Sequence, residues 1–408
     1  MTTTPAPSAA RPLGTGRLAL IIFLVALNLR VALAALPPLV STIQRDLSLS
    51  GAQAGLLTTL PVLCMGVFAP LATQAARRFG REATVGVALL LLLVGQLLRL
   101  DGAVLAVLLA STLLVGTGIA LAGTVLPGIV KEHFAGRSGA MTGVYLLAMM
   151  VGAATSSALA VPLADASGSW QESLAVWSVL AVLGLGAWLP VLRRAARPVR
   201  RAPTESRGPL PWRSRTTWLL ASFLALQSFC FYSQIAWISP SFEAHGWSAR
   251  DAGLLLSLWS ISQLVTGVGG PALADHVHDR RPIVAGAVLC SIAGLTGLVL
   301  APTAAPVLWV LLLALGQGGG FALALVKLVD YAPTPSASAR LSGLVFLVSY
   351  CTASLGPFVF GALHDATDGF ALPWGALLAV TLAQLALVPR LRPGRLTEPL
   401  AEPAGVSS

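Results

Sequence analysis

The chain has 408 residues, of which 56% are hydrophobic and only 10% are charged, and its formal net charge is +10. An ordinary soluble domain carries roughly 25% charged residues, so this composition excludes a soluble globular protein. Apolar stretches long enough to cross a bilayer recur along the whole sequence, whereas the short alternating segments typical of membrane β-barrels do not occur. The sequence therefore predicts an all-α membrane protein.

We predict twelve transmembrane helices. They are expected over residues 18–38, 53–75, 83–100, 103–126, 138–163, 172–192, 216–239, 250–272, 282–301, 305–329, 339–363 and 373–389. The flanking residues 1–17 and 391–408 are predicted to be cytoplasmic tails. The first apolar run is too long for the core of a cleavable signal peptide, so we expect it to remain as the first helix.

The basic residues fall almost entirely on one side of the predicted membrane. With the N-terminus placed inside, 22 of the 26 lysines and arginines lie on that side. Eight of them are arginines in the stretch from Arg193 to Arg215, which either lies against anionic lipid headgroups or is a plain solvated linker. This positive-inside pattern places both termini in the cytoplasm of a bacterial-type cytoplasmic membrane. We therefore expect the partner to be the lipid bilayer and not nucleic acid.

An internal repeat divides the chain at an offset of about 200 residues. The motif Ser-x-x-x-Ala-Gly-Leu-Leu opens the second span at residues 50–57 and the eighth span at residues 248–255. Each half holds an even number of spans, so the two repeats are expected to run parallel, with a substrate site between them near the midplane. We predict one six-helix bundle over residues 18–192, a cytoplasmic linker over 193–215 and a second six-helix bundle over 216–390.

Arg30 is the most informative residue, because it lies inside an otherwise apolar run. If the first helix begins near Leu18, Arg30 is about twelve residues in, or about 18 Å deep in a hydrocarbon core of about 30 Å. Arginine keeps its proton there, and a fixed cation at that depth is costly, which favours a functional role.

The sequence places no anionic partner at the depth of Arg30. Every Asp, Glu and His falls in a loop or within about one turn of a predicted helix end. In one interpretation the substrate supplies the anion, since a guanidinium suits a small oxyanion or carboxylate. In the other interpretation helix carbonyls, hydroxyls and water satisfy Arg30, which then locks the first helix against a neighbour.

Several other polar or aromatic residues lie near the middle of predicted spans. A buried glutamine must find partners, so it either faces the substrate or forms a hydrogen bond between helices, and Tyr and Trp combine an apolar ring with a polar tip. The candidates for substrate contact beside Arg30 are Tyr232, Gln317, Gln227, Tyr145, Gln263, Trp259 and Tyr350.

Short segments spread over nearly the whole chain carry the motifs of a known family. They are residues 27–30, 54–63, 76–80, 126–131, 141–145, 231–232, 236–237, 316–322, 340–343 and 356–365. In these segments the chain resembles the major facilitator superfamily and, within it, the cyanate/2-nitroimidazole transporter family. The resemblance implies two parallel six-helix repeats that work by alternating access. It also ranks Gln317 and Tyr232 first among the candidates, because the helices that carry them line the cavity in that superfamily.

The resemblance further implies a gating motif at the cytoplasmic ends of the spans. The superfamily loop between the second and third helices usually reads Gly-x-x-x-Asp-Arg-x-Gly-Arg, and Arg78, Gly80 and Arg81 match it. Arg77 replaces the acidic residue, so the usual latch is in doubt in the first half. In the second half Asp275 occupies the acidic position, and Arg281 completes the set of residues expected to control the conformation.

We expect a secondary active or facilitative transporter that moves a small anion, cyanate-like or a small carboxylate, or a small polar nitrogen heterocycle. It is expected to act as a monomer without a cofactor, by facilitated diffusion or with a proton carried by the substrate. The main alternative is an efflux pump for lipophilic drugs or toxic metabolites, although exporters of cationic drugs would carry an intramembrane acid. A sensor that binds without translocating is a further alternative. Enzymatic activity is not expected, because no nucleophile–base or metal constellation occurs.

Overall fold

The computed structural model of the protein describes residues 15–134, 138–195, 211–274, 276–277, 279–332 and 335–392. In these ranges the regular structure is helical, as predicted. The helices are α1 (Thr15–Ala34), α2 (Val40–Leu47), α3 (Gly51–Val67), α4 (Ala69–Phe79), α5 (Arg81–Leu97), α6 (Leu105–His133), α7 (Ser138–Ser167), α8 (Trp170–Ala175), α9 (Ser178–Ala195), α10 (Arg215–Ala244), α11 (Ala249–Ala274), α12 (Arg281–Leu300), α13 (Pro306–Asp330), α14 (Pro335–Thr367) and α15 (Ala371–Leu387). Among the described residues, eleven helical stretches are long and apolar enough to cross a membrane, and the pair α3 and α4 makes a twelfth.

The second span is bent, whereas the sequence predicted one helix over residues 53–75. α3 and α4 meet at Phe68 with an angle of 51°. Pro70 lies in the first turn of α4, and because proline has no backbone N–H it cannot continue the hydrogen-bond ladder of α3. The bend therefore follows from one residue whose effect is local.

The first span also differs from the prediction, because α1 stops at Ala34 and a 3-10 turn over Pro37–Leu39 leads into α2. Pro37 and Pro38 cannot donate to the last carbonyls of α1. Side chains of other elements donate to two of the last carbonyls of α1. Ser157 Oγ of α7 donates to Ala34 O at 3.1 Å, and Arg99 Nη2 donates to Ala32 O at 3.0 Å. These two bonds fix the end of the helix that carries Arg30.

The helices form two six-helix bundles with matching ion pairs. In the first half α1 packs on α7 and α5 packs on α6, and in the second half α10 packs on α14 and α11 on α13. Arg81 Nη1 lies 2.8 Å from Glu132 Oε2, and Arg280 Nη1 lies 2.6 Å from Asp330 Oδ2. Each pair joins the start of the third span of its half to the end of the fourth. The structure thus repeats at the same offset as the sequence.

The two bundles seal against each other at the face where α3 begins, which we call the sealed face. α3 packs on α14, and α7 packs on α11. A Cβ atom on Gly55 would lie 2.5 Å from Pro357 O, and one on Gly253 would lie 2.8 Å from Ser157 O. These pairs occupy repeat-related positions, so each seal needs a glycine for the close approach of backbones.

A carboxylate strengthens one of the two seals. Asp365, near the end of α14, accepts hydrogen bonds from the backbone N–H groups of Gly51 at 2.7 Å and Ala52 at 2.9 Å. Those N–H groups open α3, where a helix has free donors and a partial positive charge. Asp365 therefore caps a helix of the opposite bundle.

The bundles separate toward the other face, where α1 begins and α4 ends and which we call the terminal face. Ser257 Oγ of α11 donates to Ala154 O of α7 at 2.6 Å. Val268 lies three turns further along the same face of α11 and is 60% exposed. Leu147, two turns from Ala154 on the same face of α7, is 42% exposed. The space between the bundles is thus closed at the sealed face and open at the terminal face.

Candidate functional site

Arg30 lies on the side of α1 that faces the opposite bundle. Asn28 Nδ2 donates to Leu24 O at 2.8 Å and to Leu180 O of α9 at 3.0 Å, which fixes α1 within its own bundle. Arg30 is two residues further, about 200° round the helix, so it points away from α9. Its Cζ lies 5.2 Å from the centre of the Phe231 ring of α10. The cation therefore lies between the two halves.

Arg30 has no acidic partner in the described part of the chain. The ion pairs found there involve Arg81, Arg280, Arg281 and Lys327, and none involves Arg30. The Nε atom of Arg30 is enclosed and has no hydrogen-bond partner, while the side chain as a whole is half-buried. No backbone carbonyl among the described residues accepts a hydrogen bond from it. Within the part of the chain that the structure describes, the fixed charge is thus left without an anionic partner.

Three tyrosines lie within electrostatic range of the guanidinium of Arg30. They are Tyr145 of α7, Tyr232 of α10 and Tyr350 of α14, and the hydroxyl of Tyr232 donates to Met65 Sδ at 3.6 Å. The chain has four tyrosines in all, so three of them gather at one residue. The structure therefore brings together four of the residues predicted to line a substrate site. Arg30 comes from α1, and the three tyrosines come from α7, α10 and α14.

Aromatic rings hold these groups in place. Phe231 lies 5.0 Å from the Tyr232 ring and 5.1 Å from the Trp259 ring, and Tyr350 stacks on Phe346 at 5.9 Å. Trp259, a predicted site residue, is fully buried behind Phe231 and does not reach Arg30 directly. Phe231 and Phe346 were not among the predicted site residues. Phe231 lies beside Tyr232 in a family motif, but only the tertiary structure shows that its ring packs on Arg30.

The predicted glutamines form contacts of their own. Gln227 Nε2 donates to Gln317 Oε1 at 2.7 Å, and Gln384 Nε2 donates to Gln227 Oε1 at 2.6 Å. Gln263 Nε2 donates to Trp259 O at 3.3 Å within α11. All four glutamines are buried, and among the described residues no hydrogen bond joins any of them to Arg30. In this conformation Gln227 and Gln317 connect α10, α13 and α15.

The predicted gating residues lie at the terminal face. Gly80 joins α4 to α5 with a φ of +97°, a conformation that favours glycine, and Arg78 is exposed beside the Phe79 ring. Arg81 pairs with Glu132, as described above. Asp275 lies outside the described residues. Arg281 pairs instead with Asp279, with Nη2 at 2.7 Å from Oδ2, and this arginine holds the pKa of the Asp279 carboxyl at about 2, below its ordinary value.

Comparisons with known proteins agree with this arrangement. A sequence model of the Major Facilitator Superfamily matches residues 18–357 and 243–405. The 2-nitroimidazole transporter of Escherichia coli (strain K12) is 36% identical over 378 residues, which cover 91% of this chain and 94% of the relative. The cyanate transport protein CynX of the same strain is 29% identical, over 93% of this chain and 98% of the relative.

A solved structure shares the fold at low sequence identity. It is the crystal structure of a bacterial homologue of the human lysosomal transporter Spinster, in an inward-facing and unoccupied conformation. The TM-score is 0.74 at 16% identity, and the alignment covers 93% of this chain and 98% of that chain. The similarity extends over both bundles.

Proposed function

Because the chain belongs to the Major Facilitator Superfamily, we propose that it transports a small anion or a small polar nitrogen heterocycle across the cytoplasmic membrane, with Arg30 as the recognition group. The observation that carries this proposal is a fixed cation between the two bundles, with no acidic side chain of the described residues paired to it. A cation in that position is costly unless it is paired. A substrate that brings the missing charge or acceptor atoms would lower that cost on binding.

The arrangement of donors supports the functional interpretation of Arg30 over a structural one. A structural lock would be expected to bind helix carbonyls, as Arg99 does with Ala32 O. Arg30 instead lies 5.2 Å from the Phe231 ring of the opposite bundle, with three tyrosines within electrostatic range. Guanidinium and phenol groups together offer donors to a carboxylate, cyanate or nitro group. The names of the two relatives, with cyanate and 2-nitroimidazole, fall within this chemistry.

The closed and open faces support alternating access as the mechanism. The positive-inside pattern makes the terminal face cytoplasmic, so the structure corresponds to an inward-open state. In our proposal the bundles rock about the site, open the sealed face and close the terminal one. No carboxylate pairs with Arg30 in the described residues, so we propose facilitated diffusion or a proton carried with the substrate.

A thermal-stability screen of the purified protein tests the proposal. Wild type and Arg30→Gln are heated with cyanate, small carboxylates, nitrate or nitroimidazoles. A ligand at 100 times its Kd stabilises the folded state by about 2.7 kcal/mol. We expect at least one ligand to raise the wild-type transition temperature in a saturable manner and to leave Arg30→Gln unchanged.

Arg99→Gln is the matched control for this screen, because it removes another buried arginine that contacts α1. We expect it to lower the basal stability and to keep the ligand response. If the same ligands stabilise wild type and Arg30→Gln alike, Arg30 is a structural residue and the proposal fails.

A further inference from the structure

The surroundings of Arg30 are aromatic to an unusual degree. The Phe231 ring lies 5.2 Å from its Cζ atom, and Tyr145, Tyr232 and Tyr350 lie within electrostatic range of the guanidinium. Tyr232 is buried, whereas Phe231, Tyr145 and Tyr350 remain partly exposed in the open conformation. A ligand that reaches Arg30 therefore meets ring faces and hydroxyls, and no amide of the buried glutamines.

The contact with Phe231 fixes how Arg30 presents its donors. The Cζ atom lies 5.2 Å from the ring centre, within cation–π range, and this contact pairs none of the guanidinium N–H donors with an acceptor atom. Two N–H groups on one edge match the two oxygens of a carboxylate. Trp259 is fully buried against Phe231 and keeps that ring from moving aside. The fork is therefore oriented before the ligand arrives.

This lining suits one kind of anion better than another. A small, strongly hydrated anion gives up hydrogen bonds to water on all sides when it binds. The site offers one guanidinium and a few hydroxyls to replace those bonds. An aromatic acid loses less hydration energy without replacement, because its carboxylate binds the guanidinium fork and its ring packs on other rings. Favourable ring–ring geometry improves binding about three- to tenfold beyond the burial of area.

We propose that the site takes planar aromatic or heteroaromatic carboxylates, with the carboxylate on Arg30 and the ring among Phe231, Tyr145 and Tyr350. This inference rests on the proposed function and specifies its substrate class. Phe231 is then the residue that determines specificity for a ring, and Arg30 is the residue that determines specificity for the charge.

A pair of ligands separates the two contributions. Benzoate and cyclohexanecarboxylate carry the same carboxylate on six-membered rings of similar size, and only benzoate has aromatic faces. Calorimetric titration into the purified full-length protein gives the two Kd values. We expect wild type to bind benzoate about three to ten times more tightly than cyclohexanecarboxylate. Phe231→Leu should bring this ratio close to one and retain carboxylate binding.

Two further variants serve as controls on the same helix. Phe231→Tyr keeps the ring and should keep the ratio. Phe223→Leu removes a buried phenylalanine two turns away, in a separate part of the core, and should also keep it. If Phe231→Leu does not fold, the wild-type ratio together with Tyr350→Leu decides, because Tyr350 offers the other ring beside Arg30.

The outcomes distinguish this inference from the proposed function. Equal binding of the two carboxylates by wild type, or a preference for cyclohexanecarboxylate, overturns the aromatic specificity. Binding of only a small anion such as cyanate, lost in Arg30→Gln, overturns it as well and leaves the proposed function intact. If carboxylates bind equally to wild type and Arg30→Gln, both fail.

Discussion

Two arginines, Arg30 in α1 and Arg99 against its end, show how one residue type serves different purposes. Arg30 was identifiable from sequence, because an apolar run with one cation in its middle has few explanations. Arg99 is only 1% exposed and caps the end of α1. Its acceptor, Ala32 O, lies 67 residues earlier in the chain, in the last turn of α1, where helix carbonyls have no intrahelical donor. Sequence spacing carries no sign of such a long-range pairing.

Asp365 provides a residue-scale test of the sealed face. Its carboxylate accepts two hydrogen bonds from the start of α3, and an amide has a single acceptor oxygen. Asp365→Asn should therefore weaken the closure by about 1–2 kcal/mol, or roughly tenfold in the open population. We expect faster reaction of a cysteine placed at Ser257, at the seal, with a maleimide added from the sealed side.

The internal repeat supplies a matched control for this variant. Asp165 occupies the position that corresponds to Asp365 in the first half, but it is exposed. Asp165→Asn should leave the labelling rate at Ser257 unchanged. Equal rates in Asp365→Asn and in the parent protein would show that the cap does not hold the seal.

At the scale of helices, the positions of the spans were predictable because long apolar runs dominate the sequence. The bend between α3 and α4 was missed, although Pro70 marks it, since a single proline in an apolar run does not reveal whether the helix continues. The glutamines show a second limit. Their burial was predictable, but the choice between facing the substrate and binding another helix depends on how α10, α13 and α15 meet.

The glutamine cluster yields a prediction for the association of these helices. Gln384→Leu would leave Gln227 Oε1 buried without its donor, which costs about 1–3 kcal/mol in the free energy of unfolding. We expect a lower transition temperature in detergent and an unchanged ligand Kd. The transition temperature reports on helix packing, and the ligand Kd reports on the substrate site.

Gln96 of α5 is the control for this substitution. It is equally buried, its Nε2 donates to Leu92 O of its own helix, and its Oε1 has no partner. Gln96→Leu should be neutral or slightly stabilising. A Gln384→Leu protein with normal stability and weakened ligand binding would instead place the cluster in the substrate path.

At the scale of the molecule, the two bundles and their parallel relation followed from the repeat in the sequence. The conformational state could not be predicted from the sequence, because the same residues line each face whether that face is open or closed. The structure shows one face sealed by Gly55 and Gly253 and the other open at Val268 and Leu147. In the proposed alternating-access cycle, this conformation opens the site to one side only, and a motion of the bundles would open it to the other.

Cysteine labelling along α11 tests this state. In a variant without the four native cysteines, single cysteines are placed at Ser257 and Val268, which share one face of the helix. With the terminal face in the cytoplasm, a membrane-impermeant maleimide should label Val268→Cys from the cytoplasmic side of inverted vesicles and leave Ser257→Cys largely unmodified. The reverse pattern would indicate an outward-open resting state.

Uptake into proteoliposomes is the measurement that tests the role of Arg30 most directly. Wild type, Arg30→Lys and Arg30→Gln are reconstituted at equal density, and the flux of the radiolabelled ligand that stabilises wild type is followed with time. We predict saturable uptake by wild type, at least a tenfold loss in Arg30→Gln and partial retention in Arg30→Lys, which keeps the charge but not the planar fork. Equal flux through wild type and a folded Arg30→Gln protein would contradict the account.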